Sequence, residues 1–518
     1  MAALKLLSDV KPAHMGLALI VAAAVSGLLY IIVFRPVYNL LFHPLRKYPG
    51  PKLWAATRLP YLRNWLGGHA PQKILKLHQK YGDIVRVAPD ELSYLRPDAW
   101  REIMGYIPRG VLENEKDPLI FKGLNVDDSL IGANREHHRA LRSVLSHGFS
   151  ASRLLDQQPI IMRYIDLLVE RLREKSMVDK EIPVNMVLWY NYATFDIIGD
   201  LAFGESFGCL ESSTLHPWVA VVFKWVKFNA HIVQCRRVIP WAFELIEAVL
   251  GRMATSQVQE HIGYINSKLD KRLGTVTDRP DFVDSMLRTD KAGLALTRNQ
   301  LMENANLFIV AGSETTATTL CFTTWLLLTH PDKMRKVTDE LLSMFTREEE
   351  ITFQSVLSLK YLLAVFDEAL RLYPPVPVTV PRLVPPGGRQ ICGDHIPENT
   401  KLGIWHYPMS HHAGHFALPD EFHPERWLGK DERFAHDRKE AFEPFSHGSR
   451  NCLGKNLAYA EMRTIMARML FNFDMRLGNG YERWADRCPV HNLWEKPQLL
   501  IHFTPRGDQE REILRSKH

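Results

Sequence analysis

The stretch Phe445-Ser446-His447-Gly448-Ser449-Arg450-Asn451-Cys452-Leu453-Gly454 sets two glycines, an arginine and an aromatic ring around one cysteine. Gly448 permits a tight turn and a close approach to something flat. Gly454 removes a side chain two residues beyond the sulfur, where bulk would block one face. From Leu453 to about Phe473 the pattern is helical, with Leu457, Ala460, Ile465 and Leu470 in step. Cys452 is therefore expected near a helix N-terminus, where backbone N–H groups and the helix dipole favour an anionic sulfur. Arg450 adds a positive charge. Cys209, Cys235, Cys321, Cys392 and Cys488 show no CxxC spacing and read as buried free thiols, which excludes a zinc ribbon or a thioredoxin-like motif.

The rest of the chain bounds what such a cysteine can serve. It has 518 residues, 46% hydrophobic and 24% charged, with a net charge of +6, so disorder is excluded and a large core is affordable. No Lys/Arg run reads as a nucleic-acid arm. Six cysteines are too sparse for a disulfide scaffold and fit a reducing compartment.

Met15–Phe34 carries no charge over 20 residues, about what a helix needs to cross a bilayer. Lys5 and Lys11 precede it; Arg35, Arg46, Lys47 and Lys52 follow it, and the positive-inside bias puts the bulk of the chain in the cytosol. The expected layout is a short lumenal stretch (1–14), a transmembrane anchor (15–34), a proline-rich hinge (35–52, including Tyr48-Pro49-Gly50-Pro51) and a catalytic domain (53–518). Beyond residue 53 there is no repeat and no Gly/Ser linker, which argues for one large unit.

That unit reads as mainly α with small β-sheets. Thr297 with Gln300 three residues on forms a capping-box pattern, and the helix it opens runs to about His330, where Pro331 stops it. A second helix covers about Ser358 to Tyr373 and ends at Pro374-Pro375. Strand-like patches fall at Gly82–Leu95 and Val376–Trp405.

The cysteine stretch resembles the FxxGxRxCxG haem-ligand motif of the cytochrome P450 family, and the resemblance runs over essentially the whole chain. It implies the P450 fold, with a long central helix over haem b and Cys452 as the axial thiolate, the ligation known for this family. Phe445, Gly448 and Arg450 are the matching loop positions. Glu368 and Arg371 match the ExxR pair, joined by Arg426 of Pro424-Glu425-Arg426-Trp427; Trp427 stands where phenylalanine is commoner. Ala311-Gly312-Ser313-Glu314-Thr315-Thr316 resembles the oxygen-activation motif, which makes Glu314 and Thr315 an acid–alcohol pair for proton delivery. Gly312 is expected to open room over the haem. His138, Arg142, Arg382 and Arg450 are the candidate partners of the haem propionates.

The same resemblance implies a lipophilic substrate. The expected lining is the loop around Leu124–Ile131, then Leu307, Phe308 and Ala311, the stretch Val376–Thr379 and a late hairpin near Pro497. Residues 39–60 and 145–150 look like fungal members of the isotrichodermin hydroxylase-like group, which works in secondary metabolism on terpenoids, polyketides and alkaloids. The expectation is a monooxygenase of the endoplasmic reticulum membrane that hydroxylates or epoxidises a small molecule. It uses O2, with electrons from NADPH through a separate reductase, because no flavin-binding module follows residue 518. Lys455 and Arg139 are the expected docking cations. Two alternatives are a haem-thiolate isomerase, dehydratase or peroxide-using enzyme, and a non-catalytic haem or lipid-binding sensor. The Glu314–Thr315 pair speaks against both.

Overall fold

The computed structural model describes residues 12–108, 110–121, 126–179, 181–240, 243, 263–275, 279–287, 295–507 and 511. Helices dominate, and the expected ones form nearly as read. The long helix is Arg298–Thr329, 32 residues, about 48 Å at the usual rise. Its capping box closes both ways: Gln300 N–H donates to Thr297 Oγ1 at 3.2 Å and Thr297 N–H to Gln300 Oε1 at 2.9 Å. The second helix is Lys360–Leu372 and the one after the cysteine is Lys455–Asn472, each slightly shorter than its apolar pattern.

Met186–Phe203 is apolar on nearly every side and is buried along almost its whole length, as such a helix must be. It packs along the long helix, where Tyr190 Oη and Thr324 Oγ1 share a hydrogen bond of 2.7 Å. These helices anchor the main core. A second, smaller core of Leu92, Tyr94, Trp100, Ile103, Leu402 and Ile404 sits beneath the sheet.

Both strand-like patches contribute to one five-stranded sheet. Ile84–Ala88 pairs antiparallel with Glu91–Tyr94, which runs parallel to Lys401–Ile404; Arg382–Leu383 and Glu115–Lys116 complete it. Glu115–Lys116 carries no alternation long enough to read from sequence. A second sheet joins Val184–Asn185, Leu500–Pro505 and Phe473–Leu477, and the last alternates apolar and polar residues, a strand pattern that sequence reading passed over.

At the N-terminus, Pro12–Leu29 continues through Tyr30–Phe34 into Arg35–Leu41. Val21–Leu41 is long and apolar enough to cross a membrane, with mean hydropathy 1.8 and Asn39 near its end buried, so this span extends past the charge-free stretch that ends at Phe34. The connector after it is held to the sheet. Arg86 N–H donates to the Pro49 carbonyl at 2.8 Å, Tyr48 Oη to Asp394 at 3.1 Å, and Leu45 is fully buried.

Candidate active site

One cavity of about 410 Å³ gathers most of the residues picked out from sequence. Cys452, Phe445, Arg450, Thr315, Gly312, His138, Arg142 and Arg382 all line it. The apolar wall comes from Ile131, Leu307, Phe308, Ala311, Val376 and Val378. Leu124 lies outside the described residues, and Thr379 is not in the wall. The late hairpin near Pro497 does not reach the cavity either; Pro497 and Gln498 instead accept from Trp484 Nε1, at 3.0 and 3.1 Å.

The cysteine loop is built by local turns. Cys452 N–H donates to the Phe445 carbonyl at 2.8 Å, which closes the loop and turns the sulfur outward. The sulfur opens onto the cavity while lying deep within the outline of the protein. Burial pushes the Cys452 thiol pKa above its ordinary value. Bonding with Gly454 and the charges of Arg142 and Lys455 act the other way and do not overcome it. The expected lowering by the helix end and a nearby cation is therefore present but smaller than the effect of burial, and the cations that exert it are Arg142 and Lys455 in place of Arg450. Arg450 is not among the groups acting on the sulfur, because its guanidinium turns to Glu113 at 2.8 Å and to the Ala133 carbonyl at 3.0 Å.

Gly448 does not face the cavity. Its φ is +81°, and a Cβ there would collide with the Met104 carbonyl oxygen, so the close approach it permits is to another stretch of backbone. Gly454 does open onto the cavity, and a Cβ there would find only Phe149, at 3.9 Å. Gly312 lines the cavity and also lets the long helix close on Met186–Phe203, since a Cβ would meet Ile198 at 2.8 Å. Two of the other cysteines, Cys235 and Cys392, are half-buried where full burial was expected.

The cations form a cluster with too little negative charge to answer it. Arg382 is buried, with Nε on Met104 Sδ at 3.1 Å, and burial followed by Arg450 lowers its pKa to about 10. Arg142 donates to the Asn451 carbonyl at 2.8 Å and to Asn451 Oδ1 at 2.5 Å. Lys116, which sequence reading missed, joins them on the two-residue strand. Burial, then Arg450 and Arg382, push its pKa well down. Glu113 is the one carboxylate paired with this group among the described residues. His138 is held neutral, with its pKa lowered to about 3 by burial and then by Arg450, Lys116, Arg142 and Arg382, so it meets a ligand as a donor and not as a cation. A surplus of positive charge beside the Cys452 thiol suits an anionic cofactor.

Glu314 and Thr315 part company. Thr315 lines the cavity and its hydroxyl donates to the Ala311 carbonyl at 2.7 Å, which weakens the helix locally. Glu314 sits on the adjacent stripe of the helix, ion-paired with Lys496. The carboxyl that does line the cavity is Glu461, raised to about 8 by burial alone. The repeat Gly454, Leu457, Ala458, Glu461 on one helix face was the signal that could have found it.

The ExxR cluster is complete. Arg371 grips Glu368 through two bonds, at 2.9 and 2.8 Å, and Arg426 Nε reaches it at 3.2 Å. Arg426 also pairs with Asp437, so two buried cations meet two carboxylates. Trp427 is no idle departure from the motif, since its indole N–H donates to Glu368 at 2.9 Å, which phenylalanine cannot do.

Away from the cavity, Asp98, Glu102 and Cys392 lie close enough together to hold a metal ion. Protein donors already satisfy the carboxylates: Arg96 binds Asp98 through two bonds, at 3.1 and 2.6 Å, and Cys392 N–H donates to Glu102 at 2.6 Å.

Comparison with known proteins gives the same direction. The family profile described as Cytochrome P450 matches residues 49–496. The chain is 41% identical to cytochrome P450 monooxygenase bet2 of Neocamarosporium betae, over 93% of this chain and 92% of that one. It is 42% identical to trichothecene C-15 hydroxylase of Fusarium sporotrichioides, over 93% and 97%. It is 41% identical to averantin hydroxylase of Dothistroma septosporum, over 93% and 91%.

Proposed function

The chain belongs to the cytochrome P450 family, as a monooxygenase, and from that premise we propose how its residues serve the reaction. Cys452 would be the residue that ligates haem iron through its sulfur. Arg142, Arg382, Arg450 and the neutral His138, with Lys116, meet the two propionates. Phe445 and Gly448 shape the cysteine loop. The observation that carries this reading is the single cavity holding the Cys452 sulfur, Thr315 and four buried or half-buried cations.

Haem supplies the binding and reductive activation of O2. The protein's part is to give up the Cys452 proton on ligation, to neutralise the propionates and to keep the reacting space dry. Leu307, Phe308, Val376 and Val378 do the last of these, and they select a lipophilic substrate. Thr315 presents a hydroxyl in the cavity, and Glu314 one position earlier is the acid that passes protons inward from solvent. The substrate is hydroxylated or epoxidised.

The named relatives act on fungal secondary metabolites, and we assign this chain a substrate of that class: a terpenoid, polyketide or alkaloid. Residues 15–34 anchor the protein in the endoplasmic reticulum membrane, with 1–14 lumenal, 35–52 as the stiff connector and 53–518 as the cytosolic catalytic domain. Electrons come from NADPH through a separate membrane-bound reductase. Lys455 and Arg139, both exposed, face it.

The test is spectroscopic. The reduced protein under carbon monoxide should show the red-shifted Soret band of thiolate ligation, and Cys452→Ser should lose it. A wild-type spectrum without that band overturns the assignment of Cys452.

A further inference from the structure

Lys496 has no part in the reading above, yet its side chain is only 2% exposed. It stands in the segment between Trp494 and the strand Leu500–Pro505. Its ammonium group ion-pairs with Glu314 Oε1 and donates to Thr318 Oγ1 at 2.7 Å. Thr318 Oγ1 in turn reaches Glu314 Oε1 at 3.4 Å. Glu314 Oε2 is buried and has no hydrogen-bond partner among the described residues.

The backbone on either side of Lys496 is pinned. Trp494 Nε1 donates to the Pro374 carbonyl at 2.8 Å, Trp484 Nε1 to the Pro497 carbonyl at 3.0 Å, and Leu499 N–H to Asn185 Oδ1 at 3.1 Å. The segment that carries Lys496 is thus held to three other elements, and its ammonium is kept in place by Glu314 and Thr318. The other titratable groups that feel this pair are Cys321 and Cys488, both thiols raised by burial and so uncharged. Lys496 is the one cation paired with Glu314 among the described residues.

A buried carboxylate held at one oxygen by a fixed ammonium has a defined charge and orientation. Its other oxygen, Oε2, is then free to accept a hydrogen bond. We infer that Lys496 is a positioning residue for proton delivery. It keeps Glu314 ionised and occupies Oε1, which leaves the buried Oε2 as the free acceptor one residue before Thr315. This rests on the reading of Glu314 as the acid of the pair.

The experiment uses the full-length haem-loaded protein with its reductase in lipid nanodiscs, as wild type, Lys496→Met, Lys496→Gln, Lys496→Arg, Glu314→Gln and Lys496→Met/Glu314→Gln. Infrared difference spectra read the carboxyl directly. Lys496→Met should gain a protonated-carboxyl band that is absent from wild type and Lys496→Arg and lost again in the double variant. NADPH-driven O2 consumption should fall about tenfold in Lys496→Met, with a larger solvent isotope effect, and recover in Lys496→Arg. A folded Lys496→Met or Lys496→Gln with no new band, or with wild-type turnover, overturns the inference. If neither variant folds, wild type is compared with Glu314→Gln, and a protonated-carboxyl band lost on that substitution overturns it equally. The carbon monoxide spectrum separates the two readings: a wild type without the thiolate band defeats the Cys452 assignment whatever Lys496 does.

Discussion

Arg142 holds the residue next to Cys452: its guanidinium binds both the carbonyl and the side-chain oxygen of Asn451, at 2.8 and 2.5 Å. A cation expected only at the edge of the cofactor thus also fixes the loop that presents the sulfur. Arg142→Lys keeps the charge but loses the planar two-point grip. We expect a lower haem-to-protein ratio and a loss of about 1–2 kcal/mol on unfolding, the scale of a charge-assisted hydrogen bond. Haem content equal to wild type would leave Arg142 as a charge only.

Trp427→Phe tests the completed ExxR cluster. The variant keeps an aromatic ring but removes one of the donors to a fully buried carboxylate. The expected cost is about 1–2 kcal/mol, and Arg426→Leu, which leaves Glu368 and Asp437 short of a cation, should cost about 3–5 kcal/mol. Denaturant unfolding of the two variants gives the ranking, and the reverse order would refute the account.

Gly448→Ala and Gly454→Ala form a contrasting pair in the same loop. The first forces a Cβ into the Met104 carbonyl at a φ of +81°, whereas the second meets only Phe149 at 3.9 Å. We expect Gly448→Ala to lose the thiolate-type carbon monoxide spectrum and Gly454→Ala to keep it. Equal spectra would show that the loop tolerates the displacement.

Acid should destabilise the fold through histidines buried in neutral form. His78 is lowered to about 4 and His411 to about 3, in both cases by burial first, from an ordinary 6.5. A histidine depressed on folding binds its proton more readily in the unfolded chain. Stability is therefore complete above about pH 6.5 and is lost as the pH falls below it. At pH 5 each such group costs about 2 kcal/mol by linkage. Thermal unfolding at pH 7 and pH 5 measures this, and an unchanged midpoint contradicts it.

Reductase coupling should depend on Lys455 and Arg139. Lys455 is exposed, with its ammonium 5.6 Å from the centroid of the Phe445 ring, on the side that carries Cys452. Replacing both with glutamine should slow NADPH-driven haem reduction at low salt and matter much less at high salt, where such charges are screened. Equal rates at low salt place the docking face elsewhere.

What the sequence determined by itself was local. The cysteine loop, the capping box at Thr297 and Gln300, the helical spacing of Glu368 and Arg371, and the charge-free run at Met15–Phe34 all follow from turn chemistry, capping and periodicity within a few residues. Tertiary structure decided the direction in which each side chain is spent. Arg450 turns to Glu113, 337 positions away, and not to the sulfur; Glu314 turns to Lys496, 182 positions away. Lys116 enters the cavity from a two-residue strand whose local pattern gives no reason to single it out, and Glu461 shares a helix face with Gly454, Leu457 and Ala458 that only the packing turns towards the cavity. The thiol of Cys452 is raised and not lowered because burial, a property of the whole fold, outweighs the helix end and the nearby charges. Burial and the identity of a charge partner depend on which distant segments pack together, and that is the information a reading along the chain lacks.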